Sequence, residues 1–258
     1  MATKEVAKTE TKALAEAIAA QQQSGFGQDL EAKDLEQGYI ILLQDKNPLL
    51  RDPDYESWNA KSGDIVRTDT KEKIAGSKDK ELAEILVLDM YKTWRMTCTD
   101  EGPNKGKNLG SKPFVLGEGQ PPDGVTDKGQ HYYCQLQFNY ISIMANDLTA
   151  IPLVLPLRSS STGAARFLNK ECLLAVEKKA ASWDKIFTIH SYLYDTERGN
   201  FHTVAKAGRD STPEEKAAAA KWFMTTRDKK PKEATQEVTA DGAVASDVDP
   251  AFDEDDPI

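Results

Sequence analysis

The stretch AEILVLDMYKTWRMTCT, residues 83–99, decides the fold class. It opens as an unbroken apolar run, Ile85 to Leu88, and then alternates. Met90, Lys92, Trp94, Met96 and Cys98 fall on one side, and Tyr91, Thr93, Arg95 and Thr97 on the other. A period of two belongs to a pleated strand, so a long β-strand is expected here. A second stretch, HYYCQLQFNYISIMAND at 131–147, repeats the pattern, with Tyr132, Cys134, Leu136, Phe138 and Tyr140 on one face.

Working outward, GYIILLQ at 38–44 reads as a short buried strand. SGDIVRTDTKEKIAG at 62–76 reads as a hairpin bounded by Gly63 and Gly76. AIPLVLPLRS is a further sheet-like run. SSTGAARFLNKECLLAVEKK favours a helix, and residues 185–208 form a hairpin expected to turn at Glu197–Asn200. TPEEKAAAAKWFMTTR carries a helix start: Thr212 as N-cap, Pro213 in the first helical position and Glu215 closing a capping box. The segment 100–130, with seven Gly and four Pro, is expected to be a long loop. Strands without a βαβ alternation predict an α+β chain, mainly β, built on an antiparallel barrel or sheet decorated with helices. The expected organisation is a mobile, disordered N-terminal arm at 1–37, one domain at 38–227 and a flexible acidic tail at 228–258.

The formal net charge is −9, from 42 acids and 33 bases. Nine of the acids lie from Glu233 onward, where there is no Lys or Arg, so 42 − 9 = 33 acids balance 33 bases in residues 1–232. The body is therefore neutral and can carry a basic face despite an acidic total. The chain closes in DVDPAFDEDDPI, acids interrupted by Phe252 and ended by Ile258. Acids alone solubilise; acids with apolar anchors can dock. A tail of this length has an r.m.s. reach of about 25–30 Å, against a radius of gyration near 17 Å for the body, so it can fold back onto a basic groove.

No phosphate-binding loop, dinucleotide fingerprint, zinc-protease helix or nucleophile elbow is present. Cys98, Cys134 and Cys172 form no C-x-x-C pair, and His131, His190 and His202 are widely separated. The expectation is a non-enzyme with no cofactor and no metal. The N-terminus lacks the apolar core of a signal peptide, and the longest apolar run, IPLVLPL, is too short for a membrane helix, so a cytoplasmic setting is expected.

What the body offers instead is rings interleaved with cations. Tyr91, Lys92, Trp94 and Arg95 stand together, Tyr133 lies on the second long strand, and Tyr192 lies on the hairpin. Lys105, Lys107 and Lys112 sit in the Gly/Pro-rich segment, where they can close over a strand. Arg158 and Arg166 flank SSSTGAA, whose hydroxyls and helix N-terminus can hold an anion or serve as an ordinary cap. Rings that stack on bases, at roughly 1–3 kcal/mol each, and cations that neutralise phosphates are the chemistry of single-strand binding. In a β-protein the same rings can also fill the core.

The order GDIVRTDTKEKI, then YKTWRM, then LVLPLRSSSTGAARFLN and finally FDEDDPI resembles bacteriophage-encoded single-stranded DNA-binding proteins. That resemblance implies an OB-like barrel, sequence-independent binding of single-stranded DNA and a place in the host cytoplasm. It also implies recruitment of replication or recombination proteins through Phe252, Asp253, Glu254, Asp255, Asp256, Pro257 and Ile258. The chain departs from the family in ending Pro257–Ile258 where a Phe is common. The other readings of the same features are a phage structural or assembly protein and a single-strand annealing protein.

Overall fold

A computed structural model describes residues 12, 14–23, 38–44, 60–77, 82–102, 105–195 and 200–227. The tail anchors Phe252–Ile258 and most of the predicted turn at 197–200 lie outside the described residues. The strands are β1 (Ile40–Leu42), β2 (Ile65–Arg67), β3 (Glu72–Ala75), β4 (Ala83–Cys98), β5 (Asn108–Pro113), β6 (Gly124–Val125), β7 (His131–Met144), β8 (Leu153–Leu157), β9 (Lys185–Asp195) and β10 (Asn200–Asp210). Helices α1 (residues 14–23), α2 (Thr162–Glu177) and α3 (Pro213–Arg227) complete the fold. Two short strands, β5 and β6, thus lie in the segment expected to be loop throughout.

β4 and β7 are the spine, antiparallel from Ile85↔Met144 to Cys98↔Tyr132. In the larger sheet the order is β10-β9-β4-β7-β6, with β5 also on β4 and β8 on β7; β1-β2-β3 form a smaller antiparallel sheet. The ladder steps from Val87↔Ser142 to Asp89↔Ile141, so Leu88 is an extra residue in a bulge. The bulge swaps the faces. Ala83, Ile85 and Val87 point into one core before it, and Met90 continues that core after it. Leu86, Leu88 and Tyr91 point into the other. Because both faces are covered here, the sequence shows a continuous apolar run rather than an alternation.

The first core lies between the two sheets and beneath α2. It joins Ile40, Leu42 and Ile65 to Tyr140, Leu155, Phe187 and Leu168. The second core holds Trp183, Phe223, Ile141 and Ile186 under α1 and α3. α1 falls within the arm expected to be mobile, yet Gln21 is 1 % exposed. Its Nε2 donates to Leu88 O at 2.8 Å, beside Ser182 Oγ, which donates to Val87 O at 2.7 Å. Carbonyls at the bulge thereby receive side-chain donors, as buried backbone requires. α3 starts as its sequence predicts: Thr212 N donates to Glu215 Oε2 at 2.7 Å, and Glu215 N donates to Thr212 Oγ1 at 3.2 Å.

Links between the smaller sheet and the larger include a parallel bridge Tyr39↔Val154, Ser191 N donating to Gly76 O at 3.1 Å, and the Gln44 side chain bonded to the Phe201 backbone. These are single links and not ladders. Among the described residues the strands form open antiparallel sheets, and the expected closed barrel is not found.

Candidate nucleic-acid interface

Beyond the Lys92–Phe138 pair, whose Phe138 still packs against the first core, the spine leaves both large cores. The face bearing Trp94 is built in rungs: Lys92 opposite Phe138, Trp94 opposite Leu136 and Lys112, and Met96 opposite Cys134. Trp94, Tyr132 and Cys134 are the buried centre of a third, small apolar cluster with Met96, Leu109, Phe114 and Leu136 around them. The Phe114 ring lies 6.0 Å from that of Trp94.

Two ammonium groups rest on this aromatic surface. Lys92 Nζ is 4.9 Å from the Phe114 centroid and 5.6 Å from that of Phe138, and Lys112 Nζ is 4.9 Å from that of Tyr132. Such cation–π contacts hold the charges over ring faces. A hydrogen bond to Tyr132 holds the Lys112 pKa above its usual value, so this group stays charged at any physiological pH. Burial raises the Cys134 thiol, which stays protonated and unreactive beneath it.

Most of the other predicted residues lie away from this patch. Arg95 and Tyr133 lie on the opposite face of the spine, Arg95 across from Gln135 and Tyr133 across from Thr97. That face is polar, with Thr93, Thr97 and Asn139 buried. Tyr91 is 5 % exposed in the second core, and burial pushes its phenol pKa up. It packs where a stacking role was expected, because the bulge at Leu88 turns it toward α3. Trp94 is 9 % exposed, so only part of its ring is open in this conformation.

At the tip of the spine, Lys105 pairs with Glu101 at 2.7 Å, Lys107 is exposed, and His131 Nδ1 lies 2.7 Å from Asp100 Oδ1. Arg158 is buried just beyond the Leu157↔Phe138 pair, and Arg166 is exposed on α2. Tyr192 is 56 % exposed with its ring 5.4 Å from His202. β9 pairs with β4 at Ala83–Ile85, far from Trp94–Cys98, so Tyr192 stands at the opposite end of the spine.

Of the predicted residues the structure brings Lys92, Trp94 and Lys112 together, with Tyr132 of the ring-rich stretch 131–140 beneath Lys112; sequence reading misses Phe114 and Phe138 as site rings. The missed signal was present for Phe114, which stands two residues from Lys112 and so on the same face of a strand. A pocket of ≈ 480 Å³ lies elsewhere, lined by Gly38, Arg67, Asp69, Asp147, Ile151 and Leu153. The Arg67 guanidinium there is taken up by Asp69 at 2.7 Å and Asp147 at 3.0 Å, a structural tie between β2 and the turn after β7. Among the described residues no group of His, Cys, Asp and Glu could hold a metal ion, and no helix is long and apolar enough to cross a membrane. No protein-family model, curated protein or solved structure matches the chain.

Proposed function

We propose that the chain is a sequence-independent single-stranded DNA-binding protein that acts without catalysis. The observation that carries this reading is the pair Lys92 and Lys112, whose charges lie over Phe114, Phe138 and Tyr132 beside Trp94 on one sheet face. Rings of this kind stack on bases of any identity, and ammonium groups at their rim neutralise the phosphates that follow. The exposed Lys107 and Arg166 and the charges of the tip extend the path. An OB-type arrangement belongs to the same proposal, supported by the small sheet being tied to the large one at several separate places.

The acidic segment from Glu233 to Ile258 supplies the second half of the reading. It competes with DNA for the basic face, and bound DNA frees it, through Phe252 and Ile258, for replication or recombination proteins. Titrating a fluorescent oligonucleotide with the full chain and with a chain ended at Lys232 tests both halves. The expected result is binding at low salt by both and severalfold tighter binding by the shortened chain. Absence of binding by either rejects the DNA reading, and equal affinities reject the competition.

A further inference from the structure

Between β5 and β6 the backbone runs from Phe114 to Asp123, with sequence FVLGEGQPPD. Pro113 pairs with Thr93 on one edge of β4, and Gly124 pairs with Tyr132 on the far edge of β7. The segment must therefore cross both spine strands. Phe114 against Trp94 shows that it crosses on the aromatic face. It is a strap over the small cluster, and it accounts for a tryptophan buried at the rim of the sheet.

The strap is fastened lightly. Phe114 seats one end. At the other, Gln120 Nε2 donates to Cys134 O at 2.9 Å, and Cys134 N reaches Asp123 Oδ1 at 3.4 Å. Between these points Gly117 takes a φ of +89°, with open space around it, and Gly119 is likewise open. The ten residues can reach roughly 33 Å when extended. Three interstrand spacings, about 14 Å, combine with the offset along the spine from Thr93 to Cys98, about 17 Å, into a diagonal of about 22 Å. About a third of the length is slack. Leu116 is 89 % exposed and Val115 44 %, so the apolar tip of the strap covers nothing in this conformation.

We infer that this strap is a displaceable cover on a cryptic base-stacking site, with nucleobases of a single strand as the ligand. Resting on the DNA reading above, it lifts at Gln120 to open Trp94 and Leu136 to a base, and its Val115–Leu116 tip then closes on that base. The closed form screens the rings from water in the free protein, and the bound form buries the exposed tip.

The test uses the full chain and Gln120→Ala, a substitution at an exposed position. Losing one net hydrogen bond from the closed state is expected to tighten binding of a fluorescent oligo(dT) about threefold to tenfold. Acrylamide quenching of Trp94, isolated by difference against Trp94→Phe, is expected to rise in the same variant without DNA. Leu116→Ser is expected to weaken binding severalfold at an unchanged salt slope. If Gln120→Ala leaves both affinity and quenching unchanged, the cover is overturned; if Leu116→Ser binds as tightly as the parent chain, the closing tip is. Should quenching rise while neither protein binds oligo(dT) at low salt, the strap stands as a cover and the DNA reading alone fails.

Discussion

The two halves of β4 obey different physics. From Ala83 to Tyr91 the strand is sandwiched, one face in the core beneath α2 and the small sheet, the other beneath α1 and α3. From Lys92 to Cys98 it carries a small cluster on one face and a row of polar groups on the other. The inner half spends its apolar residues on folding. In the outer half, rings are topped by lysines and crossed by a slack strap, so aromatic surface remains for something else. Stability is concentrated in one region and the proposed binding surface lies in the other, an arrangement in which a rigid scaffold can present a less tightly packed surface.

Substitutions that fall on the two sides of this divide should separate. The largest effect is expected at Trp183, fully buried against Phe223 with centroids 5.0 Å apart. Trp183→Ala should cost about 3–5 kcal/mol, read as a loss of midpoint in urea; a variant as stable as the parent would mean that the inner half is not the foundation. Gln21→Ala comes next. It removes the donor to Leu88 O and the acceptor for Ser182 N, at 3.0 Å, and should cost about 1–3 kcal/mol. An unchanged thermal midpoint would show α1 to be dispensable.

A smaller effect, with a pH signature, is expected at Glu215. Hydrogen bonding from Arg209 comes first among the causes that lower its pKa to about 2 from an ordinary 4.5, with the Thr212 cap adding to it. A carboxylate with a depressed folded pKa stabilises fully above its unfolded pKa. That contribution is lost as pH falls from about 4.5 through about 2. Glu215→Gln should remove about 1 kcal/mol at neutral pH and flatten this acid limb in a series of thermal melts. An acid limb identical to that of the parent chain would assign the loss to other groups.

Much of the inner half was legible because its signals are local. The capping box of α3 is written in Thr212, Pro213 and Glu215, and Ile85 to Leu88 reads as a buried run, whereas the two-residue period of β7 lies over 132–140, toward the outer end. α1 was half legible: Leu14, Ala17 and Ile18 stand at helical spacing and pack against the second core, but the burial of the Gln21 amide that ties the helix down carries no apolar signal. β5 and β6 were hidden among Gly and Pro, since β6 is two residues long and β5 pairs on one side only. For the interface, the alternation placed Trp94 and Arg95 on opposite faces, and the structure does so. What the sequence could not reveal is that the bulge at Leu88 sends Tyr91 inward, or that residues 114–123 return across Trp94. Both depend on contacts between segments far apart in the chain.

Lys92 and Lys112 are proposed to turn the outer half of the spine into a single-strand surface. Lys92→Gln with Lys112→Gln leaves the cores untouched, and the affinity of the double variant for oligo(dT) across a salt series tests the claim most directly. Each phosphate contact contributes a slope of about −0.7 on single strands, so the double variant should bind more weakly with a slope shallower by about 1.4, while keeping its thermal midpoint. A double variant with the parent's affinity and slope would contradict the account.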